Sequence, residues 1–282
     1  RFPSMKCLNG EDPEFFETLG GELAVAARDP EVEKIVSAIV EQIRTEGDAG
    51  LIALTERFDN AVLSPADLCV SAEDLHSARE TLPDEERVAI EEAIENIRSF
   101  HTHGCPKDWT SINPHGGTVG ERHYPIRRVG IYVPGGQVPL VSTVLMTTTL
   151  AKAAGVSEIA VTTPPRPDGT IAPVLLAALS LSGVDEVYKV GGAQAVSALA
   201  HGTETIPAVD KIFGPGNAYV NEAKRQVFGI VGIDLLPGPS EVMVVADETA
   251  KPAYVAAATL AQAEHGSGKE NVFLVGADEN IL

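Results

Sequence analysis

Apolar and polar positions follow one rhythm in the first hundred residues and another after about residue 128. In DPEVEKIVSAIVEQIRTEG the apolar residues recur at helical spacing, with an Asp29-Pro30 start and a stop at Gly47. SAEDLHSARETL has a capping pattern from Ser71 to Asp74, and PDEERVAIEEAIENIRSFH opens on a first-turn proline and runs amphipathically to His101. GCPKDWTSINPHGGTVGERHYPIRR is rich in Gly, Pro and turn residues and reads as a connection, with a boundary near Arg128. Beyond it, short apolar runs (VGIYV, EIAVTT, EVYKVG, DKIFG, EVMVVA) are separated mostly by helical stretches such as STVLMTTTLAKAAG, IAPVLLAALSLSG, AVSALAHG and NAYVNEAKRQVFG.

Strand and helix in alternation predict βαβ units. The expected class is α/β: Rossmann-like parallel sheets with helices on both faces, preceded by a helical N-terminal segment. The chain's 282 residues suffice for one large or two ordinary domains, and a hydrophobic content of 44% allows a sizeable core. A net charge of −19 with no basic stripe argues against nucleic acid and anionic membrane surfaces as partners. The acidic runs near the N-terminus read as solvated helix faces. Cys7, Cys69 and Cys105 form no C-x-x-C pair and leave an odd thiol, which fits a reducing cytoplasm. No run of about 18 apolar residues and no signal-peptide pattern occurs. The start at Arg1 and the end at GADENIL, just after the strand-like NVFLVG, suggest a piece of a longer protein.

Three predicted strands run into glycine-rich turns: YVPGGQVPLVST, VGGAQAVSALAHG and FGPGNAYVNEAKRQ. Glycines there let the backbone approach a ligand, and a following helix offers unpaired N–H groups suited to phosphates. In open parallel sheets ligands settle at the carboxyl ends of strands. Tyr132, Gln194 and Asn217 are the polar residues able to read such a ligand, although each also suits local turn stabilisation, Asn217 most of all. A fourth turn, LLPGPSEVMVVAD, sets Ser240 and Glu241 at the mouth of a strand, where Ser240 contacts a substrate or merely closes the turn.

The alanine-rich YVAAATLAQAEHGSG carries Gln262, Glu264 and His265 where a helix stops at glycine. Gln262 and His265 are three apart and share a face, so an amide oxygen and an imidazole could meet one cation. Two ligands complete no shell, and Glu264 lies off that face, better suited to supporting a ligand than to being one. A histidine at a helix C-terminus also has an ordinary electrostatic role.

Taken together, VGIYVPGG, STVLMTTTLAKAAG, VGGAQAVSALAHGTETIPAVDKIFGPGNAYVNEAKRQV, GPSEVMVVAD and LAQAEHG resemble the histidinol dehydrogenase family in order and approximate spacing. EGDAGLIALTERFD also looks like that family's N-terminal segment. The resemblance implies an NAD-dependent, zinc-containing, cytoplasmic homodimer that oxidises L-histidinol through an aldehyde to L-histidine, the last step of histidine synthesis. It makes Tyr132, Gln194 and Asn217 contacts to NAD, Ser240 a substrate contact, and Gln262 and His265 zinc ligands that also touch substrate. It implies residues 1–128 as the helical part of a first domain, 129–238 as a Rossmann-like NAD-binding domain and 239–282 as a return to the first. The family's Glu-His acid/base pair, its metal-binding Asp and a further His fall beyond the equivalent of Leu282, so no catalytic residue is expected in this chain and the isolated chain is expected to be inactive. Thr259 and Pro237 stand where the family often has Asp and Ala. Two other readings stay open: a related dehydrogenase of another small polar alcohol, and a nucleotide-binding module without catalysis.

Overall fold

A computed structural model describes residues 6–22, 29–135, 139–237, 241–263 and 271–277. The chain forms two compact units, one of residues 29–236 and one combining 1–28 with 237–282.

The larger unit is built on a five-stranded parallel sheet. Its strands are β3 (Arg128–Tyr132), β4 (Glu158–Thr163), β5 (Glu186–Lys189), β6 (Lys211–Phe213) and β7 (Gly232–Ile233), in the order β5-β4-β3-β6-β7. The helices α6 (Val141–Ala153), α7 (Pro173–Leu181), α8 (Gly192–His201) and α9 (Ala218–Val227) connect them. Period-2 alternation divides the strand residues between two cores. Val129, Ile131, Val133, Ile159, Val161 and Val187 enter one, while Tyr132, Ala160, Tyr188 and Ile212 enter the other. Small residues at Gly130 and Ala160 leave room for α8, and a Cβ added at Gly130 would come within 2.9 Å of the Leu199 side chain.

The connecting helices supply only part of each covering layer. The lead-in helices supply the rest: α2 (Pro30–Glu46) and α3 (Asp48–Asp59) pack with α8 and α9 on one face, and α4 (Ala72–Glu80) and α5 (Asp84–Gly104) with α6 and α7 on the other. Their ends follow the sequence signals. Asp29 caps α2 by accepting from Glu31 N–H at 3.0 Å, Gly47 ends it with φ +58°, and Ser71 caps α4 by accepting from Asp74 N–H at 3.0 Å. The composition break near Arg128 therefore lies inside the larger compact unit. It marks where helices give way to the strands they cover, because an exposed parallel sheet face needs a helical layer on it.

Residues 105–127, which read as a connection, contain an antiparallel hairpin of β1 (Trp109–Ile112) and β2 (Thr118–Glu121). Asn113 closes its turn, its side-chain oxygen accepting from His115 N–H at 3.0 Å and Gly117 N–H at 2.9 Å. Both strands are exposed throughout, so burial left no alternation in the sequence to reveal them.

In the smaller unit, α1 (Phe15–Glu22) precedes a βαβ element of β8 (Glu241–Ala246), α10 (Pro252–Ala263) and β9 (Asn271–Gly276), whose strands pair in parallel. Val255 of α10 packs on Ala246, Val244 and Leu274.

Candidate functional site

A cavity of about 920 Å³ opens at the carboxyl end of the sheet in the larger unit. Its position follows from topology. From β3 the chain winds outward through β4 and β5, then returns to β6 on β3's other side. The loops after β3 and β6 therefore leave in opposite directions and part to form a crevice. Tyr132 ends β3 on one side of this switch point, and Asn217 follows β6 on the other.

Glycine makes the close approaches possible. Gly214 has φ +120°, and a Cβ there would overlap the Tyr132 carbonyl oxygen, so the loops after β3 and β6 touch through backbone alone. This loop is pinned from beneath by Lys224, which is 0% exposed, donates to the Gly214 carbonyl at 2.9 Å and pairs with Asp234. Asp234 in turn accepts from Gly214 N–H at 2.9 Å. The N-termini of α8 and α9 both open at this edge, which favours negative charge on a ligand.

The sequence candidates Tyr132, Gln194 and Asn217 all line the cavity. The Tyr132 hydroxyl accepts from Gly192 N–H at 3.3 Å, and burial, with a smaller contribution from the nearby Asp59 charge, pushes its phenol up to about 12. It therefore stands as a neutral hydroxyl with a proton to donate. Gln194 is 2% exposed and sits over Gly192, whose φ of +64° would bring any Cβ against the Gln194 side-chain oxygen. Asn217 caps α9, its oxygen accepting from Tyr219 N–H at 3.0 Å and Val220 N–H at 3.1 Å. That carboxamide is thus held in one orientation at the crevice edge, and local cap and lining residue prove to be compatible roles.

The roof was not apparent from strand and glycine signals. Gln42 of α2 and Arg57, Phe58 and Asp59 of α3 line the cavity, with Pro164, Pro165 and Arg166 from the loop after β4. Two arginines thus line a cavity in a chain of net charge −19, with the Arg57 guanidinium lying over the Phe58 ring. The Asp59 carboxyl is pushed up to about 6 by burial, and its Oδ2 has no hydrogen-bond partner. One signal did lie in the sequence: an acid at the last position of a helix opposes the helix dipole.

Gln262 lies in the last turn of α10, in the smaller unit, while Ser240 and His265 fall outside the described residues. Among the described residues no group of three or more His, Cys, Asp or Glu side chains is placed to hold a metal ion.

The family model described as histidinol dehydrogenase matches residues 24–282. The histidinol dehydrogenase of Synechococcus is 48% identical over 233 residues, covering 83% of this chain and 54% of the relative. That of Ruegeria pomeroyi is 44% identical over 269 residues, covering 95% of this chain and 62% of the relative. The crystal structure of histidinol dehydrogenase from Elizabethkingia anophelis superimposes with a TM-score of 0.89 at 40% identity, covering 96% of this chain and 62% of that one. The chain thus spans between about half and two thirds of the length of these relatives. On the extent of this match, the chain belongs to the histidinol dehydrogenase family.

Proposed function

We propose that this chain contributes the dinucleotide site of an NAD-dependent dehydrogenase that oxidises L-histidinol, through the aldehyde, to L-histidine. The crevice at the β3/β6 switch point carries this reading. Its volume suits a cofactor-sized ligand. Its glycines admit a ligand against the backbone, and the helix N-termini with Arg57 and Arg166 offer a complement to a pyrophosphate. The orphaned Asp59 oxygen and the neutral Tyr132 hydroxyl offer an acceptor and a donor for the remaining polar groups. These residues fit NAD, which when bound supplies the hydride acceptor for both oxidation steps.

The roles proposed for the chain's own residues are binding and placement. Tyr132 and Gln194 hold the ligand from the sheet side, the first fixed by Gly192 N–H and the second by burial. Asn217 fixes the α9 N-terminus and presents its amide at the opposite lip. The apolar walls, including Ile39, Leu54 and Pro164, keep water from the site.

Ser240 as a substrate contact, and Gln262 with His265 as zinc ligands that also touch substrate, belong to the same proposal and rest on family membership and the three-residue spacing. An amide oxygen and an imidazole are an incomplete zinc donor set, so no step is assigned through the metal. The groups that move protons to and from the substrate are proposed to lie in the part of the relatives that this chain does not span. So is the surface for a homodimer. A cytoplasmic location is proposed with the biosynthetic role; among the described residues no helix is long and apolar enough to cross a membrane.

The test is turnover by the complete polypeptide. NADH formation is expected with L-histidinol and not with other small amino alcohols, together with bound zinc that Gln262→Ala and His265→Ala both reduce. Equal turnover of unrelated alcohols would overturn the substrate, and zinc content unchanged in both variants would overturn the ligand assignment.

A further inference from the structure

Asp59 bears three separate costs. It is the last residue of α3, where the negative end of the helix dipole disfavours an acid. Burial raises its carboxyl, and its Oδ2 is shielded from solvent with no hydrogen-bond donor in reach. The chain direction gives it no escape, since Asn60 turns the backbone into the left-handed region at φ +55° directly after it. Such an accumulation at one side chain in a ligand cavity points to a group that is satisfied only when a ligand donates to it.

Asp59 is also the single carboxylate among the described residues that line the cavity. Dinucleotide folds usually place an acid after the second strand, where it receives the ribose hydroxyls of the adenosine half. Here the second strand, β4, ends in Thr162-Thr163 and continues Pro164-Pro165-Arg166-Pro167-Asp168; Arg166 lines the cavity, whereas Asp168 does not and accepts from Thr170 instead. Asp59 faces the same cavity from the roof, with Arg57 and Arg166 among the other lining residues.

We propose that Asp59 selects the cofactor: its carboxylate accepts a hydrogen bond from the adenosine ribose diol of NAD and repels the 2′-phosphate of NADP. This rests on reading the crevice as a dinucleotide site. The acid that reads the sugar has moved from the strand end to the roofing helix, and it counters the arginines that would otherwise draw a third phosphate.

The test is equilibrium binding to the complete polypeptide, without turnover, of three probes: NAD, NADP, and the NAD analogue with hypoxanthine in place of adenine. The wild type is expected to bind NAD about a hundredfold more tightly than NADP, and the hypoxanthine analogue about as well as NAD. Asp59→Asn keeps the shape and loses the charge. It is expected to weaken NAD about tenfold, to leave NADP unchanged or tighter, and so to narrow the ratio between them. A thermal midpoint at or above that of the wild type is expected for this variant, because a residue with a merely structural role would destabilise when changed. Equal binding of NAD and NADP by the wild type, or a ratio unmoved by Asp59→Asn, would overturn the proposal. So would a hypoxanthine analogue that binds poorly to the wild type and equally well to the variant, since the acid would then read the base. Failure of the wild type to bind any of the three would instead bring down the dinucleotide reading of the crevice.

Discussion

The two edges of the five-stranded sheet are built on opposite rules. At the amino edge, where strands begin, charges are collected and paired with one another, although the buried Arg128 Nε has no hydrogen-bond partner. Arg128 is buried at the start of β3 and reaches Glu186 with both terminal nitrogens and Glu158 at 3.1 Å. Arg127 beside it donates to Glu158 at 3.0 Å, and Tyr188 donates its hydroxyl to Glu186 at 2.5 Å. Through the two arginines, Glu158 and Glu186 tie the starts of β4 and β5 to that of β3. At the carboxyl edge, side chains are absent where the backbone must pass closely, and while Asp234 is paired with Lys224, Asp59 in the roof keeps an oxygen without a donor. Missing side chains at close backbone approaches and an unpaired acid facing a cavity both reduce stability, so their meeting at the crevice marks where binding rather than stability is served.

The comparison is broken most severely by filling the glycine contact. Gly214→Ala puts a Cβ into the Tyr132 carbonyl oxygen at a φ of +120°. Backbone strain and overpacking add, and a loss of about 3 kcal/mol or more is expected. NAD binding should be lost with it, as the loops after β3 and β6 are forced apart. Gly229→Ala is the control: φ is +103° there, but nothing lies within 4 Å of the added Cβ. That change should cost about 1 kcal/mol through φ alone and leave cofactor affinity unaltered. Urea denaturation and NAD titration on both variants check the pair, and equal losses from the two would deny the crevice its special contact.

The amino edge should show the reverse. Arg128→Met leaves Glu186 without its cation while Glu158 keeps Arg127, and the partial exposure of both carboxylates places the expected loss at about 2 kcal/mol. Cofactor affinity should stay within about twofold of the wild type, since distant sites act independently. A large change in NAD affinity with little change in stability would show that the two edges are coupled.

The sheet and its covering helices were legible because buried parallel strands read as apolar runs bounded by turns. The caps at Asp29, Gly47 and Ser71 are local chemistry that a few adjacent residues settle. Tyr132, Gln194 and Asn217 were legible as candidates because each sits at a glycine-marked strand end, and the fold brings all three to one cavity. The roof was not, because the packing of α3 over the crevice depends on contacts with α8, far away in sequence. The hairpin of β1 and β2 escaped for a different reason: neither of its faces is buried, so no apolar alternation was imposed on it. The arginines are ordinary residues in the sequence, and only the fold makes Arg57 line the crevice while Arg128 locks strand starts together.

The smallest effect, and the sharpest, concerns the acids of the two edges as pH changes. Burial raises the Asp59 carboxyl from 3.8 to about 6, so between those values the folded chain binds a proton that the unfolded chain has released. Its contribution therefore falls as pH rises through that window and is lowest above it. Burial would raise Glu186 too, but hydrogen bonds from Arg128 and Tyr188 outweigh it and hold that carboxyl below its usual 4.5. Glu186 thus contributes stability above that value and loses it as pH falls through its depressed folded value. In urea midpoints collected across the acid range, Asp59→Asn should match the wild type near pH 3.8 and gain on it up to pH about 6. Glu186→Gln should show its full deficit at neutral pH and close the gap only in acid. A deficit for Asp59→Asn that persists at neutral pH would mean that its carboxylate already has a partner within the fold, and the two edges would then follow the same rule.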